Sequence, residues 1–323
     1  MSRHLVDPEL AAGLGVMPQQ MLDADTLLAY RSTLIERVAA IPKPTSEAMR
    51  SVRRDDRIIP GAESGPDVRI LVYTPGDRGD ALLPAILHVH GGGFVSGSAD
   101  MSDPNSRGYA VDMNCVVVSV DYTLAPETPF PGPVEDCYAA LLWLHSAAKE
   151  LGVDPARIAV AGESAGAGLV AALCLVARDR GGVTPFFQYL AEPMLDHRSA
   201  ESDHPHVGHI GWTREHNRFG WSSMLGGNDA KAVSAHCSPA LAEDLTGLPS
   251  TYIHIGAIDL FLEESLDYAR RLTRAGVPVE LHVWPGAFHA FQSTDAHVSR
   301  EARRVARTAI HRALHGPSTT GAF

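Results

Sequence analysis

From about residue 65 onward, short apolar runs rich in β-branched residues alternate with longer stretches whose apolar positions recur every three to four residues. VRILVY (68–73), AILHVH (85–90), CVVVSVD (115–121), RIAVAG (157–162), FFQYLA (186–191), TYIHIG (251–256) and VELHVW (279–284) read as strands. Their apolar character is continuous rather than alternating, the mark of strands covered on both faces. PVEDCYAALLWLHSAAKELG (133–152) has helical spacing, with Pro at its start and Gly at its stop, and LEESLDYARRLTRAG (262–276) ends on Gly in the same way. Strand and helix in alternation predict a mainly parallel sheet with helices on both faces.

Two segments fall outside this rhythm. Residues 1 to about 50 carry helical patterns ahead of the first strand, and residues 197 to about 235 interrupt the sheet with a run rich in His, Gly and Trp. A long irregular insertion in a compact α/β domain reads as a lid. The expected organisation is an N-terminal cap segment (1–55), a core formed by 56–196 and 236–323, and a cap insertion (197–235).

Composition narrows the classes. The chain of 323 residues is 45% hydrophobic and 20% charged, ordinary for a globular protein, and carries a formal net charge of -11. There is no basic stripe, which sets nucleic-acid binding aside. The stretch MSRHLVDPELAAGLG lacks the apolar centre of a secretory signal, and nowhere do 18 apolar residues run unbroken, so no membrane partner is expected and the expected address is cytoplasmic. Cys115, Cys137, Cys174 and Cys237 form no CxxC pair and read as four reduced, mostly buried thiols.

Candidate chemistry centres on AGESAGAG (161–168). Ser164 stands between the strand RIAVAG and the small-residue helical run AGAGLVAALCLVARDR, so GESAG matches G-x-S-x-G in the strand–turn–helix setting of a nucleophile elbow. A serine hydroxyl needs a base to take its proton. His289, just after the last strand, can return to the same sheet edge, whereas His254 and His282 lie inside strands. Asp259, directly after TYIHIG, is the candidate acid that orients the histidine; as a rival, Asp196 follows FFQYLA. HVHGGGFVSG (88–97) sets three glycines at a strand end. The N–H groups of Gly92 and Gly93, with that of Ala165, would face the oxygen that becomes negative in acyl transfer. The histidines of HPHVGHI (204–210) and His216 fit no standard zinc spacing, so no metal is expected. Phe94, Trp212, Phe219 and Trp221 are the aromatics expected to face the substrate.

HGGGF (90–94), DYTLAPETPFP (121–131), GESAG (162–166), SPALAEDLTGLP (238–249) with Asp259, and His289 occur together in an order that resembles the hormone-sensitive-lipase-like esterases, the bacterial family IV α/β hydrolases. Within them the chain looks most like small bacterial acetyl esterases of the heroin-esterase kind. The resemblance runs from about residue 65 to the C-terminal helix. It implies an α/β-hydrolase fold with a mainly parallel eight-stranded sheet and a helical cap. It further implies a triad of Ser164, Asp259 and His289, an oxyanion hole from Gly92, Gly93 and Ala165, short-chain acyl esters as substrates, and no cofactor or metal. The family's habit of pairing along the last strand leads to an expected homodimer through 277–284. The chain departs from the family at Glu163 (usually Asp), Thr123 (usually Arg), Leu260-Phe261 (usually Pro-Leu) and Ala290 (usually Gly). Two other readings stay open on the sequence: amide or peptide hydrolysis by the same triad, and a ligand-binding protein on a retired hydrolase fold.

Overall fold

The computed structural model describes residues 2–14, 22–40, 46–62, 65–79, 81–227 and 232–316. Eight strands form one sheet: β1 (Arg53–Ile59), β2 (Val68–Thr74), β3 (Leu83–Val89), β4 (Val116–Asp121), β5 (Val153–Glu163), β6 (Phe187–Ala191), β7 (Ser250–Gly256) and β8 (Val279–Trp284), in the order β1-β2-β4-β3-β5-β6-β7-β8. β1 and β2, and β2 and β4, pair antiparallel, and every later pair is parallel. The described α-helices are α1 (Pro8–Gly13), α2 (Leu27–Ala39), α3 (Glu47–Ser51), α4 (Asp103–Asp112), α5 (Gly132–Ser146), α6 (Ala148–Leu151), α7 (Ala165–Arg180), α8 (Arg214–Leu225), α9 (Leu262–Arg274) and α10 (His297–His315).

The sheet is covered on both faces, which is why its strands read as unbroken apolar runs. Ile70 and Val72 point into the layer shared with α5, α7 and α9, while Leu71 and Tyr73 point into the layer shared with α4 and α10. α7 is buried from Ala165 to Ala177, and its Ala and Gly content lets it lie close to the central strands.

Three local readings change. The expected helix 133–152 breaks at Ala147 into α5 and α6. β1, of sequence RRDDRII, escaped the apolar signal because it is a half-exposed edge strand whose charged side chains face water. It also straddles the expected boundary at residues 55 and 56, so the sheet begins inside the segment assigned to the N-terminal cap.

The first described residues pack far along the chain. Val6 and Leu10 are buried against Ile258, Ala287, Phe288 and Phe291. The Asp7 N–H donates to Gly286 O (3.0 Å), and Glu9 Oε2 accepts from the His297 N–H (2.7 Å). α2 is tied down differently. Arg31 donates to Val95 O (2.7 Å) and Ala125 O (2.9 Å) and pairs with Glu127.

Candidate active site

Ser164 sits where β5 ends and α7 begins, with φ 56° and ψ -123°. A left-handed backbone at a residue bearing a side chain is sparsely populated, and it persists where the surroundings over-determine it. Here they do. Cβ atoms placed on Gly162 and Gly166 would fall 2.6 Å from Gly166 C and 2.2 Å from Val89 O, so both glycines are required by close backbone approach. The turn is also pinned by Ser164 N–H to Ala191 O (2.8 Å) and Met194 N–H to Ser164 O (3.1 Å).

Ser164 Oγ lies 2.8 Å from His289 Nε2, and His289 Nδ1 lies 2.8 Å from Asp259 Oδ2. The other Asp259 oxygen accepts from the Phe261 N–H (2.9 Å), and the Asp259 side chain is fully buried. With Nδ1–H donating to Asp259, Nε2 is the acceptor facing the serine hydroxyl. Burial pushes the imidazole pKa down, but the Asp259 carboxylate, and after it Glu192, outweigh burial and hold it above 6.5. Asp196 is elsewhere: it is paired with Arg198 at 2.7 Å, and the histidine nearest it is His197 (3.9 Å). His254 is buried inside β7 and pushed down to about 3 by burial, so it is neutral, and it meets Gln292. His282 meets Glu280 at 2.9 Å.

The glycine loop approaches the same point. Gly92 and Gly93 have φ of 129° and 63°, and Gly92 O accepts from the Val95 and Ser96 N–H groups, closing a tight turn. Among the described residues, the amides of Gly92, Gly93 and Ala165 donate to no protein acceptor.

A cavity of about 560 Å³ opens over Ser164 and extends between α4 and α10. Trp212 is on its wall: a Cβ on Gly93 would meet the Trp212 ring at 2.1 Å, and the indole N–H donates to Asn217 Oδ1 (3.1 Å). Phe94 and Trp221 are not on the wall, contrary to expectation. They pack edge to face with centroids 4.9 Å apart and are 1% and 2% exposed, so they belong to the core beneath the loop. Phe219 is half-buried against the same core. The readings missed Tyr30 and Leu34 of α2 and Tyr109 of α4, which do line the cavity. They lie in helices whose faces only the tertiary structure assigns.

Glu163 points into the cavity with both carboxylate oxygens 3.0 Å from His88 Nε2. Glu192, which the sequence reading passed over, is buried beside the histidine. Its Oε2 is 3.9 Å from His289 Nδ1 and accepts from the Ala290 N–H at 2.7 Å. The available signal was its position: a glutamate directly after FFQYLA, at the same end of the sheet as the turns carrying Ser164 and Asp259. Thr123, another departure, donates through Oγ1 to the buried Asp136 carboxylate (2.6 Å). Among the described residues, the only His, Cys, Asp or Glu groups near enough to share an ion are Glu192, Asp259 and His289. The histidines of 204–210 belong to no such group among the described residues.

A family model described as an alpha/beta hydrolase fold matches residues 86–293. The carboxylesterase NlhH of Mycobacterium tuberculosis is 33% identical over 329 residues, covering 98% of each chain, and the esterase LipI of the same species is 33% identical over 320 residues, covering 96% of each. Among solved structures, a bacterial heroin esterase aligns with TM-score 0.91 and 41% identity over 98% of this chain and all of that one. The esterase LipW of Mycobacterium marinum aligns with TM-score 0.84 and 32% identity, over 97% of this chain and 98% of its own.

Proposed function

The chain belongs to the α/β-hydrolase-fold family, as one of its hormone-sensitive-lipase-like carboxylic ester hydrolases, and on that premise we propose that Ser164, His289 and Asp259 carry the reaction. The single observation behind this reading is the unbroken hydrogen-bonded chain from Ser164 Oγ through the imidazole to Asp259, at 2.8 Å on each side. His289 takes the serine proton through Nε2 as Oγ attacks the ester carbonyl. Asp259 holds the tautomer that leaves Nε2 free and stabilises the imidazolium that forms. The N–H groups of Gly92, Gly93 and Ala165 receive the negative oxygen of the tetrahedral intermediate. The alcohol departs with the proton from His289. Water, deprotonated by the same imidazole, then releases the acid.

A fluorophosphonate probe tests the nucleophile. It is expected to label the wild type and leave Ser164→Ala unlabelled, with the turnover rate down by roughly 10⁴-fold or more. Labelling that persists in the variant overturns the assignment.

The substrates proposed are short-chain acyl esters, bound under a cap made of α2 and the segment 197–235. Two features support the cap: Tyr30 and Leu34 from α2 and Trp212 from the insertion all line the cavity over Ser164. The chain is further proposed to form a homodimer in the cytoplasm through β8. That strand is one of the two edges of the sheet, and its Leu281 and Val283 are 36% and 42% exposed. Light scattering at micromolar concentration is expected to give twice the monomer mass, and Leu281→Lys to return it to monomer. A wild type that is monomeric throughout refutes the pairing.

A further inference from the structure

Five non-glycine residues among those described have positive φ, and four of them surround the reacting groups: Phe94, Ser164, Glu192 (φ 49°) and Ala290 (φ 65°). Two of these four touch each other. Ala290 directly follows His289, and its left-handed backbone turns the chain so that the imidazole faces both Ser164 and Asp259. Its N–H is held by Glu192 Oε2 at 2.7 Å. Glu192 is itself fixed, since its own N–H donates to His254 O at 2.9 Å. Its other oxygen, Oε1, is buried and has no partner among the described residues.

A carboxyl buried without a cation or a full set of donors is costly unless it does something that a smaller side chain would not. We infer that Glu192 is a positioning residue for the triad, a second carboxyl that clasps the backbone after His289 and fixes the imidazole between Ser164 and Asp259. Nothing else among the described residues holds the Ala290 amide. The inference rests on the triad reading above and adds to it how the strained turn at the base is held.

The charge state of the clasp follows from its surroundings. Burial raises the carboxyl to about 8; the facing His289 works against that rise, and Asp259 and then Glu163 add to it. The Tyr189 hydroxyl also lies within its field. At neutral pH Glu192 is therefore largely protonated, Oε2 serving as the acceptor, and Asp259 supplies most of the negative charge that holds the imidazole up. Above about 8 a second carboxylate appears 3.9 Å from Nδ1 and favours the imidazolium of the transition state.

The test is kcat and KM for a p-nitrophenyl ester from pH 6 to 9.5 in the wild type, Glu192→Gln, Glu192→Leu and, as reference, His289→Ala. Glutamine is shaped like the protonated acid and keeps the acceptor, so Glu192→Gln is expected within about threefold of wild-type kcat at pH 7. Glu192→Leu removes the acceptor and is expected to lose roughly 10- to 100-fold in kcat with a smaller change in KM, because it displaces the base while exchanging one side chain of the cavity wall for another of similar size. Wild-type kcat is expected to climb roughly two- to tenfold through pH 8 to 9, and that of Glu192→Gln to stay level. Wild-type kcat in Glu192→Leu, or a Glu192→Gln profile that superimposes on the wild type through pH 9, overturns the inference. If Glu192→Leu does not fold, Glu192→Ala, which also lacks the acceptor, is measured in its place and decides. An active His289→Ala would instead overturn the triad reading.

Discussion

Asp259 and Asp196 both follow a strand at the same end of the sheet, yet only one of them meets the imidazole. Asp259 has one oxygen on His289 Nδ1 and the other on the Phe261 amide, so its orientation is fully determined. Asp259→Asn is expected to lower turnover by on the order of 10³- to 10⁴-fold with the fold retained, and Asp196→Asn to leave it within about threefold. Because His289 is held above 6.5, activity is expected to fall as pH drops through a midpoint above that value, where the imidazole takes a proton and can no longer accept one. A rate level down to pH 5 would rule out this base. The three residues proposed to react could be singled out because each lies in the loop or turn that follows a strand, where an α/β sheet presents side chains to a ligand. Glu192 stands in an equivalent place, and that position was its signal, but the sequence does not say that a carboxyl after FFQYLA turns inward. Phe94 and Trp221 show the converse. An aromatic in a loop reads equally well as wall or core, and here the two form core. Trp221→Ala is expected to cost about 3–5 kcal/mol of stability in urea unfolding, with little change in substrate preference.

Elements were legible to the extent that they are buried. The six inner strands carry the two-sided apolar signal and appear where the pattern puts them; the edge strand β8 appears there too although none of its residues is buried, and the charged edge strand β1 carries no such signal. α5 and α6 read as one helix because the break at Ala147 leaves the apolar spacing intact. α2 shows what periodicity omits. Its helical pattern is clear, but its place above the site is set by tertiary contacts: the burial of Leu27 and Leu34, and Arg31 gripping the carbonyls of Val95 and Ala125. Arg31→Ala leaves those acceptors without their charged donor and is expected to lower stability by about 1–3 kcal/mol. KM should rise severalfold, because Tyr30 and Leu34 leave the cavity wall with the helix. An unchanged KM would separate α2 from substrate binding.

At the scale of the molecule, a cavity of about 560 Å³ is large enough for a drug-sized ester, so acyl length is limited by its walls rather than by its volume. Each buried methylene gains roughly 0.8 kcal/mol until the chain meets Trp212, which is fixed by Asn217 and by the face of Gly93. Catalytic efficiency on p-nitrophenyl esters is therefore expected to peak at about two to six carbons and then decline. Trp212→Ala should move the peak to longer chains, and a wild-type maximum beyond about ten carbons would contradict this limit. The docking of Val6 and Leu10 on Ile258, Phe288 and Phe291 bears on the order in which the protein is made. Val6 and Leu10 are synthesised long before Phe288 and Phe291, so the surface that receives them does not exist until those residues have followed. The loops bearing Asp259 and His289 are thus backed by a segment that has waited through the synthesis of every strand of the sheet. A nascent chain halted before residue 289 has Ser164 but no His289 to take its proton, so on the proposed mechanism it cannot cut esters at that stage.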